Sequence, residues 1–177
     1  IGAALFNPVA RKEKNISASQ IELNGQPLTE EQFKKTREDT PGAIVVFKFL
    51  DMPEEAPILD ESILFPGGVI ASDAMPWADK TSGLPVDENE WPISQNAFAH
   101  PRSAGTFTRL LAHWVRERQA LSLSEAIAKS SLYPARVLEK SVPQMRNKGR
   151  LQEGMDADII INNPSTVQDK ATFTEPA

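Results

Sequence analysis

Gly67-Gly-Val-Ile-Ala-Ser-Asp-Ala-Met-Pro-Trp77 is the stretch on which the fold turns. A short apolar run bounded by Gly and Pro has the composition of a buried strand. It carries one carboxylate, Asp73, to its far end, where α/β enzymes keep their chemistry. Upstream, Ala43-Ile-Val-Val-Phe-Lys-Phe-Leu50 is β-branched and aromatic with almost no polar interruption, which predicts a strand covered on both faces, as in a parallel sheet. The acidic, Pro-broken segment 52–65 between the two has room for a short helix, so the unit reads as strand, right-handed crossover, strand.

Further out, Thr29 opens a predicted short helix with acidic residues in its first turn and Phe33 directed inward, ending near Pro41-Gly42. Residues 74–99 form a Pro-, Asp- and Trp-containing loop, long enough to be functional, with Trp77 and Trp91 arguing against simple disorder. Phe107, Leu110, Leu111, Trp114 and Val115 then repeat at helical spacing and predict an amphipathic helix over 106–117. Ser122-Leu-Ser-Glu125 reads as a capping box opening a second helix, and Tyr133-Pro134 opens a third with Pro in its first turn. Gly149 and Gly154 bracket a turn, Ala157-Asp-Ile-Ile-Ile-Asn162 reads as a compact strand, and Phe173 is the expected anchor of a polar tail.

The chain has 177 residues, 40% of them apolar, enough to bury a sizeable core. It contains no apolar run of about 18 residues or more, the length that spans a bilayer. Nineteen basic against 24 acidic residues give a net charge of −5, and no basic cluster offers phosphates a footprint. The expectation is a soluble, cytoplasmic protein with neither a nucleic-acid nor a membrane partner. The absence of cysteine excludes disulfides and thiolate metal sites. Asn15-Ile-Ser17 fits a glycosylation acceptor but reads as a loop. Ile1 opens an apolar stretch with neither Met nor a cleavage signal, so a portion of a longer protein is expected.

Asp73 has two readings that position alone leaves open. It caps the Ala-Met-Pro turn that follows, or it ligates or faces a metal and takes the proton from metal-bound water. Arg102 lies in His100-Pro-Arg-Ser-Ala-Gly-Thr-Phe107, pinned by Pro101 and followed by Gly105. Its guanidinium suits a bidentate grip on the acidic end of a substrate; the alternative is an ordinary surface arginine. Of the two histidines, His100 reads as a structural hydrogen-bonding group and His113, off the apolar stripe, as solvated. With no His-x-His, Glu-x-x-His or Cys cluster, the chain does not complete a zinc site by itself. Gly-x-Ser-x-Gly elbows and Gly-rich phosphate loops are absent as well.

The ordered set Ile-Ala-Ser-Asp-Ala-Met-Pro (70–76), His-Pro-Arg-Ser-Ala-Gly-Thr-Phe (100–107), Leu-Ser-Leu-Ser-Glu-Ala-Ile (121–127), Pro-Ala-Arg (134–136), Gly-Arg-Leu-Gln-Glu-Gly-Met-Asp-Ala-Asp-Ile (149–159) and the closing Asn-Pro-Ser-Thr-Val-Gln-Asp-Lys-Ala-Thr-Phe (163–173) resembles the C-terminal part of the N-acyl-D-amino-acid deacylases, D-aminoacylase-like members of the amidohydrolase superfamily. The resemblance implies an α/β fold, the last part of a metal-dependent (β/α)8 barrel over 1–147 and strands of a small β-sandwich domain over 148–177. It implies zinc as cofactor in the complete enzyme, Asp73 as catalytic carboxylate and candidate metal ligand at the end of the last barrel strand, and Arg102 as the group that grips the substrate carboxylate. In the implied mechanism zinc activates a water, Asp73 takes its proton, and the proton returns to the leaving amine.

Two departures accompany the resemblance. Ala74 stands where the family's Ser-Asp-Gly has Gly, and the loop between Asp73 and Arg102 is longer than expected, with Asp87, Glu88, Glu90 and two Trp that suit a particular side chain, such as that of an acyl-D-glutamate. The family's metal-binding histidines lie in an N-terminal half that this sequence does not include. The chain alone is therefore expected to be inactive and to bind its missing half, self-associate or aggregate. A cyclic-amide hydrolase of the same superfamily and a non-catalytic interaction domain are the competing readings.

Overall fold

The computed structural model describes residues 8–13, 15–23, 25–40, 43, 45–48, 53–82, 84–87, 89, 92–173 and 175. The chain divides into two compact units, Ile1–Pro57 and Ile58–Ala177.

The first unit follows the short helix α1 (Pro8–Glu13) with a small antiparallel sheet in the order β2-β1-β3. β1 (Ile21–Leu23) sets Glu22 opposite Pro27 of β2 (Gln26–Pro27), and on its other edge sets Ile21 opposite Phe47 of β3 (Val46–Phe47). Helix α2 (Glu30–Asp39) begins where the sequence places it. Thr29 Oγ1 accepts the Gln32 N–H at 3.2 Å and Gln32 Oε1 accepts the Thr29 N–H at 2.8 Å, so two end groups of the helix are satisfied reciprocally. Phe33 turns inward to join Ala18, Ile21 and Leu28. Beside it the buried Arg11 stacks 4.5 Å from the ring centre and pairs through both terminal nitrogens with Glu30.

The expected parallel strand over 43–50 is corrected here. β3 is antiparallel and its residues are half-buried, while Ile44, Phe49 and Leu50 lie outside the described residues. A buried charge accounts for the arrangement. The Glu22 side chain is 4% exposed and needs a cation, which Lys48 supplies at 2.5 Å once β3 runs antiparallel along β1.

α3 (Ala56–Leu64), which lies in the second unit from Ile58 onward, is the helix expected over 52–65. The segment 67–73 that follows leaves a turn at Gly67 and, among the described residues, pairs with no strand, which corrects the second strand expectation. Its anchorage comes from a helix instead. Lys129, 1% exposed, donates from Nζ to the carbonyls of Phe65 and Gly68, and its own carbonyl accepts the Ile70 N–H at 3.0 Å. A buried ammonium spending its protons on backbone carbonyls replaces a ladder as the support of this segment.

The amphipathic helix predicted over 106–117 runs as α4 (Arg102–Arg109) and continues through wider π turns over Leu110–Glu117. Leu110 and Trp114 are buried with Ile70 and Ala126, and Leu111, Val115, Ile63, Leu64 and Leu121 close around them. Phe107, the first member of the predicted stripe, is 44% exposed and stays outside this core. Arg118 covers Trp114 at 4.5 Å and holds Asp60 through two hydrogen bonds of 2.7 and 2.5 Å, so α3 and the end of the long helix are fastened over the core. That pairing holds the Asp60 carboxyl below its ordinary range and raises the Arg118 guanidinium.

α5 (Leu123–Ile127), its continuation Ala128–Leu132 and α6 (Tyr133–Leu138) are the second and third predicted helices. Ser122 Oγ accepts the Glu125 N–H at 3.2 Å, but the Glu125 carboxylate receives the Tyr133 hydroxyl at 3.1 Å, so only half of the expected capping box is built. Beyond the 3₁₀ turn Pro143–Asn147, Arg150 donates to the carbonyls of Arg146 and Lys148 at 2.9 Å and to Glu139 at 2.7 Å, closing the turn. The strand expected over 157–162 is also corrected: among the described residues it has no partner, and Ile160 and Ile161 are 88% and 94% exposed. A strand exists only where another backbone completes its hydrogen bonds, and its apolar composition cannot supply one.

Both turn glycines are left-handed, Gly149 at φ +68° and Gly154 at φ +82°. A Cβ on Gly149 would sit 2.8 Å from the Ser131 carbonyl oxygen, whereas around Gly154 there is open space. Gly154→Ala is expected to cost roughly 1–2 kcal/mol of conformational strain and Gly149→Ala clearly more. Urea denaturation of the two variants checks the order, and equal losses would contradict the close approach at Ser131.

Candidate active site at the start of α4

The segment 67–73 and the long helix meet at Asp73. This residue adopts a left-handed backbone at φ +48°, uncommon outside glycine but one that Asp tolerates. Around it lies the first turn of α4. Arg102 Nε donates to the Asp73 carbonyl at 2.6 Å and its Nη2 lies 3.1 Å from the Asp73 carboxylate, which is otherwise 91% exposed. Next to it, Ser103 Oγ accepts the Met75 N–H at 3.0 Å and donates to the Met75 carbonyl at 3.1 Å. Asp73 and Arg102 are thus brought together, and the carboxylate is paired with the guanidinium and not with the turn that follows it.

His100 prepares the helix start. Its Nδ1 accepts the Arg102 N–H at 3.1 Å, satisfying one of the free donors of the first turn, and its ring packs edge-on against Phe173 at 5.2 Å between centres. The structural reading of His100 and the anchoring role of Phe173 both follow from that contact. Burial first, and the nearby Arg102 second, push the His100 pKa down, with Asp73 opposing. Further along the helix, Arg109 lies 3.5 Å from Asp169, and Arg116 donates to the carbonyls of Pro164 and Val167, so the tail is fixed to the helix that carries Arg102. His113 lies 3.2 Å from Glu117, half-exposed and away from Asp73's partners.

Beside the Asp73 loop is a cavity of about 350 Å³ lined by Ala74, Met75, Pro76, Trp77, Ile93 and Ser103. The loop behind it is braced by Asp79 of β4 (Ala78–Asp79), which pairs antiparallel with β5 (Ala97–Phe98). The Asp79 carboxylate receives the Ser82 N–H and hydroxyl, the Asn96 amide and the Thr81 N–H, which hold its pKa down. Of the loop's other acidic residues, Asp87 caps Asn89, and Glu88, Glu90 and Trp91 lie outside the described residues.

Zinc does not fit the described residues. Among them there is no group of three or more His, Cys, Asp or Glu able to hold a metal ion. His100 spends Nδ1 on a backbone donor, and the Asp73 carboxylate lies against a guanidinium.

Sequence comparison decides the family. The profile described as the amidohydrolase family matches residues 87–177, just over half of the chain. The chain belongs to the amidohydrolase family. Among proteins of Alcaligenes xylosoxydans xylosoxydans, it is 39% identical to an N-acyl-D-glutamate deacylase over 84 residues, which is 48% of this chain and 16% of that protein. It is 35% identical to an N-acyl-D-aspartate deacylase over 96 residues, 54% of this chain and 16% of that protein. With a D-aminoacylase it shares 32% identity over 162 residues, 88% of this chain and 28% of that protein. In structure it resembles the N-acyl-D-glutamate deacylase of Bordetella bronchiseptica, solved with zinc and a phosphonate mimic of the tetrahedral intermediate. That likeness has a TM-score of 0.60 at 24% identity over 94% of this chain and 32% of that one, and shows the fold. This amidohydrolase chain therefore spans less than a third of the length of those relatives.

Ser103 was missed by sequence reasoning. Its only signal is a hydroxyl directly after the His-Pro-Arg run, and hydroxyls at helix starts are common. The His100 geometry carries a sign for pH dependence. A base whose folded pKa is depressed contributes stability that is present above its unfolded value of about 6.5 and lost as pH falls through the folded value. NMR titration of His100 is expected to give a pKa below that ordinary value, with stability declining on acidification through this range. Titration at or above the ordinary value would contradict the burial.

Proposed function

We propose that this chain is the C-terminal part of an amidohydrolase that hydrolyses the amide bond of N-acyl-D-amino acids, yielding a carboxylate and a free D-amino acid. The observation that carries the reading is the pairing of Asp73 and Arg102 at one loop–helix junction, a base and a carboxylate-binding cation held within one contact. The names of the relatives favour an open N-acyl amino acid over a cyclic amide, and two of the three name acidic D-amino acids. N-acyl-D-glutamate is accordingly the proposed substrate.

In this reading Asp73 takes a proton from water as the water oxygen attacks the amide carbonyl. The C–N bond then breaks, and the proton passes from Asp73 to the leaving nitrogen. Arg102 orients the substrate: with Nε and Nη2 committed to Asp73, its Nη1 has no partner among the described residues and is available to the substrate carboxylate. Residues 1–147 belong to the last part of a barrel and 148–177 to a small β-domain, with the remaining strands and any zinc ligands supplied by other parts of the enzyme. The neighbour's bound zinc supports a metal in the complete enzyme. By itself, the 177-residue chain is expected to be inactive.

Steady-state kinetics of the full-length protein test the assignment. Asp73→Asn is expected to lower kcat by about 10²-fold or more, the usual contribution of a positioned proton-transferring group, and a loss below about tenfold would remove Asp73 from that role. Arg102→Lys keeps the charge but cannot hold Asp73 and offer a separate Nη1 donor to the substrate at once, so KM for N-acetyl-D-glutamate should rise and kcat/KM fall. Unchanged kinetics would take Arg102 out of the substrate site.

A further inference from the structure

The hydroxyl of Ser103 is the least expected part of the junction. It closes a two-way bridge on one residue, accepting the Met75 N–H at 3.0 Å and donating to the Met75 carbonyl at 3.1 Å. One residue earlier in the helix, Arg102 Nε takes the Asp73 carbonyl at 2.6 Å. Three hydrogen bonds from two consecutive side chains therefore fix the backbone on both sides of Ala74, across a loop that returns only at the helix start. Asp73 sits within this grip at φ +48°, a left-handed conformation that Asp tolerates better than most L residues.

A nucleophilic role for Ser103 does not suit the geometry. Its proton is committed to a carbonyl, and the nearby imidazole of His100 spends Nδ1 on the Arg102 amide. Nor is Ser103 a helix cap, because its hydroxyl reaches the preceding loop across 28 positions of sequence.

We propose that Ser103 is a positioning residue that fixes the Asp73–Met75 backbone, and through it the direction of the Asp73 carboxylate. Ser103 also lines the cavity formed by Met75, Pro76, Trp77 and Ile93, so the same bridge sets one wall of that cavity. The catalytic consequence rests on the deacylase reading; the backbone bridge does not. Loss of the hydroxyl leaves the Met75 N–H and carbonyl without their partner and frees Asp73 to relax out of its left-handed conformation. Because a base acts in the transition state, the loss should fall on kcat and not on substrate binding.

The test uses the full-length protein with N-acetyl-D-glutamate and compares Ser103→Ala with Ser103→Thr, which keeps the hydroxyl. Ser103→Ala is expected to lower kcat about tenfold or more with KM within about twofold, and Ser103→Thr to stay within about threefold of the parent kcat. In parallel, hydrogen exchange at the Met75 amide should accelerate about tenfold in Ser103→Ala and little in Ser103→Thr. An unchanged kcat in Ser103→Ala overturns the proposal, as does a Thr variant that folds normally yet is as slow as the Ala variant. If the parent protein hydrolyses no N-acyl-D-amino acid, the deacylase reading falls and Met75 exchange alone decides: acceleration upholds the positioning role, and unchanged protection ends it.

Discussion

A single turn of helix gripping a left-handed loop residue is the constraint on which the candidate site depends. Arg102 and Ser103 open α4, and between them they fasten the Asp73 carbonyl, the Asp73 carboxylate and both polar groups of the Met75 backbone. A carboxylate on a left-handed, largely exposed residue has little intrinsic preference for one direction. Anchoring it to a helix makes its position a property of the helix. The helix is in turn anchored through its continuation, where Leu110 and Trp114 sit in the core of the second unit and Arg118 closes over Trp114 while holding Asp60.

Support for the incoming chain follows a similar pattern. The segment that delivers Asp73 has no strand partner among the described residues, and it is held instead by the buried Lys129 and by the Ile70 amide bonded to the Lys129 carbonyl. Ile70 also packs against Leu110 and Trp114, so both arms of the junction converge on one apolar cluster. His100 and Phe173 extend the arrangement to the tail, which reaches back to the residue just before the Pro101–Arg102 step. Side chains bonded to backbone, more than ladders, place Asp73 and Arg102 here.

Local signals in the sequence were reliable where they were self-contained. Thr29 caps its helix, Ser122 caps its own, and Leu110 and Trp114 face inward as their spacing requires, because each depends on residues within one or two turns. Both apolar segments at 67–73 and 157–162 had strand composition, yet a strand is completed by a second backbone, and none is paired with them among the described residues. Val46 and Phe47 did form a strand, with antiparallel direction set by a partner that composition does not name. Asp73 and Arg102 were legible through their motifs, whereas their contact with each other across 29 positions, and the bridge from Ser103, are tertiary facts.

The central claim is that Asp73 and Arg102 work as one unit built on the start of α4. A double-mutant cycle on kcat/KM of the full-length protein, combining Asp73→Asn with Arg102→Lys, tests it most directly. If the guanidinium holds the carboxylate in place, Arg102→Lys costs much less once Asp73→Asn is present, with a coupling of about tenfold or more, roughly 1.4 kcal/mol. Two effects that simply multiply, within about twofold, would mean that the residues act separately and would contradict the account.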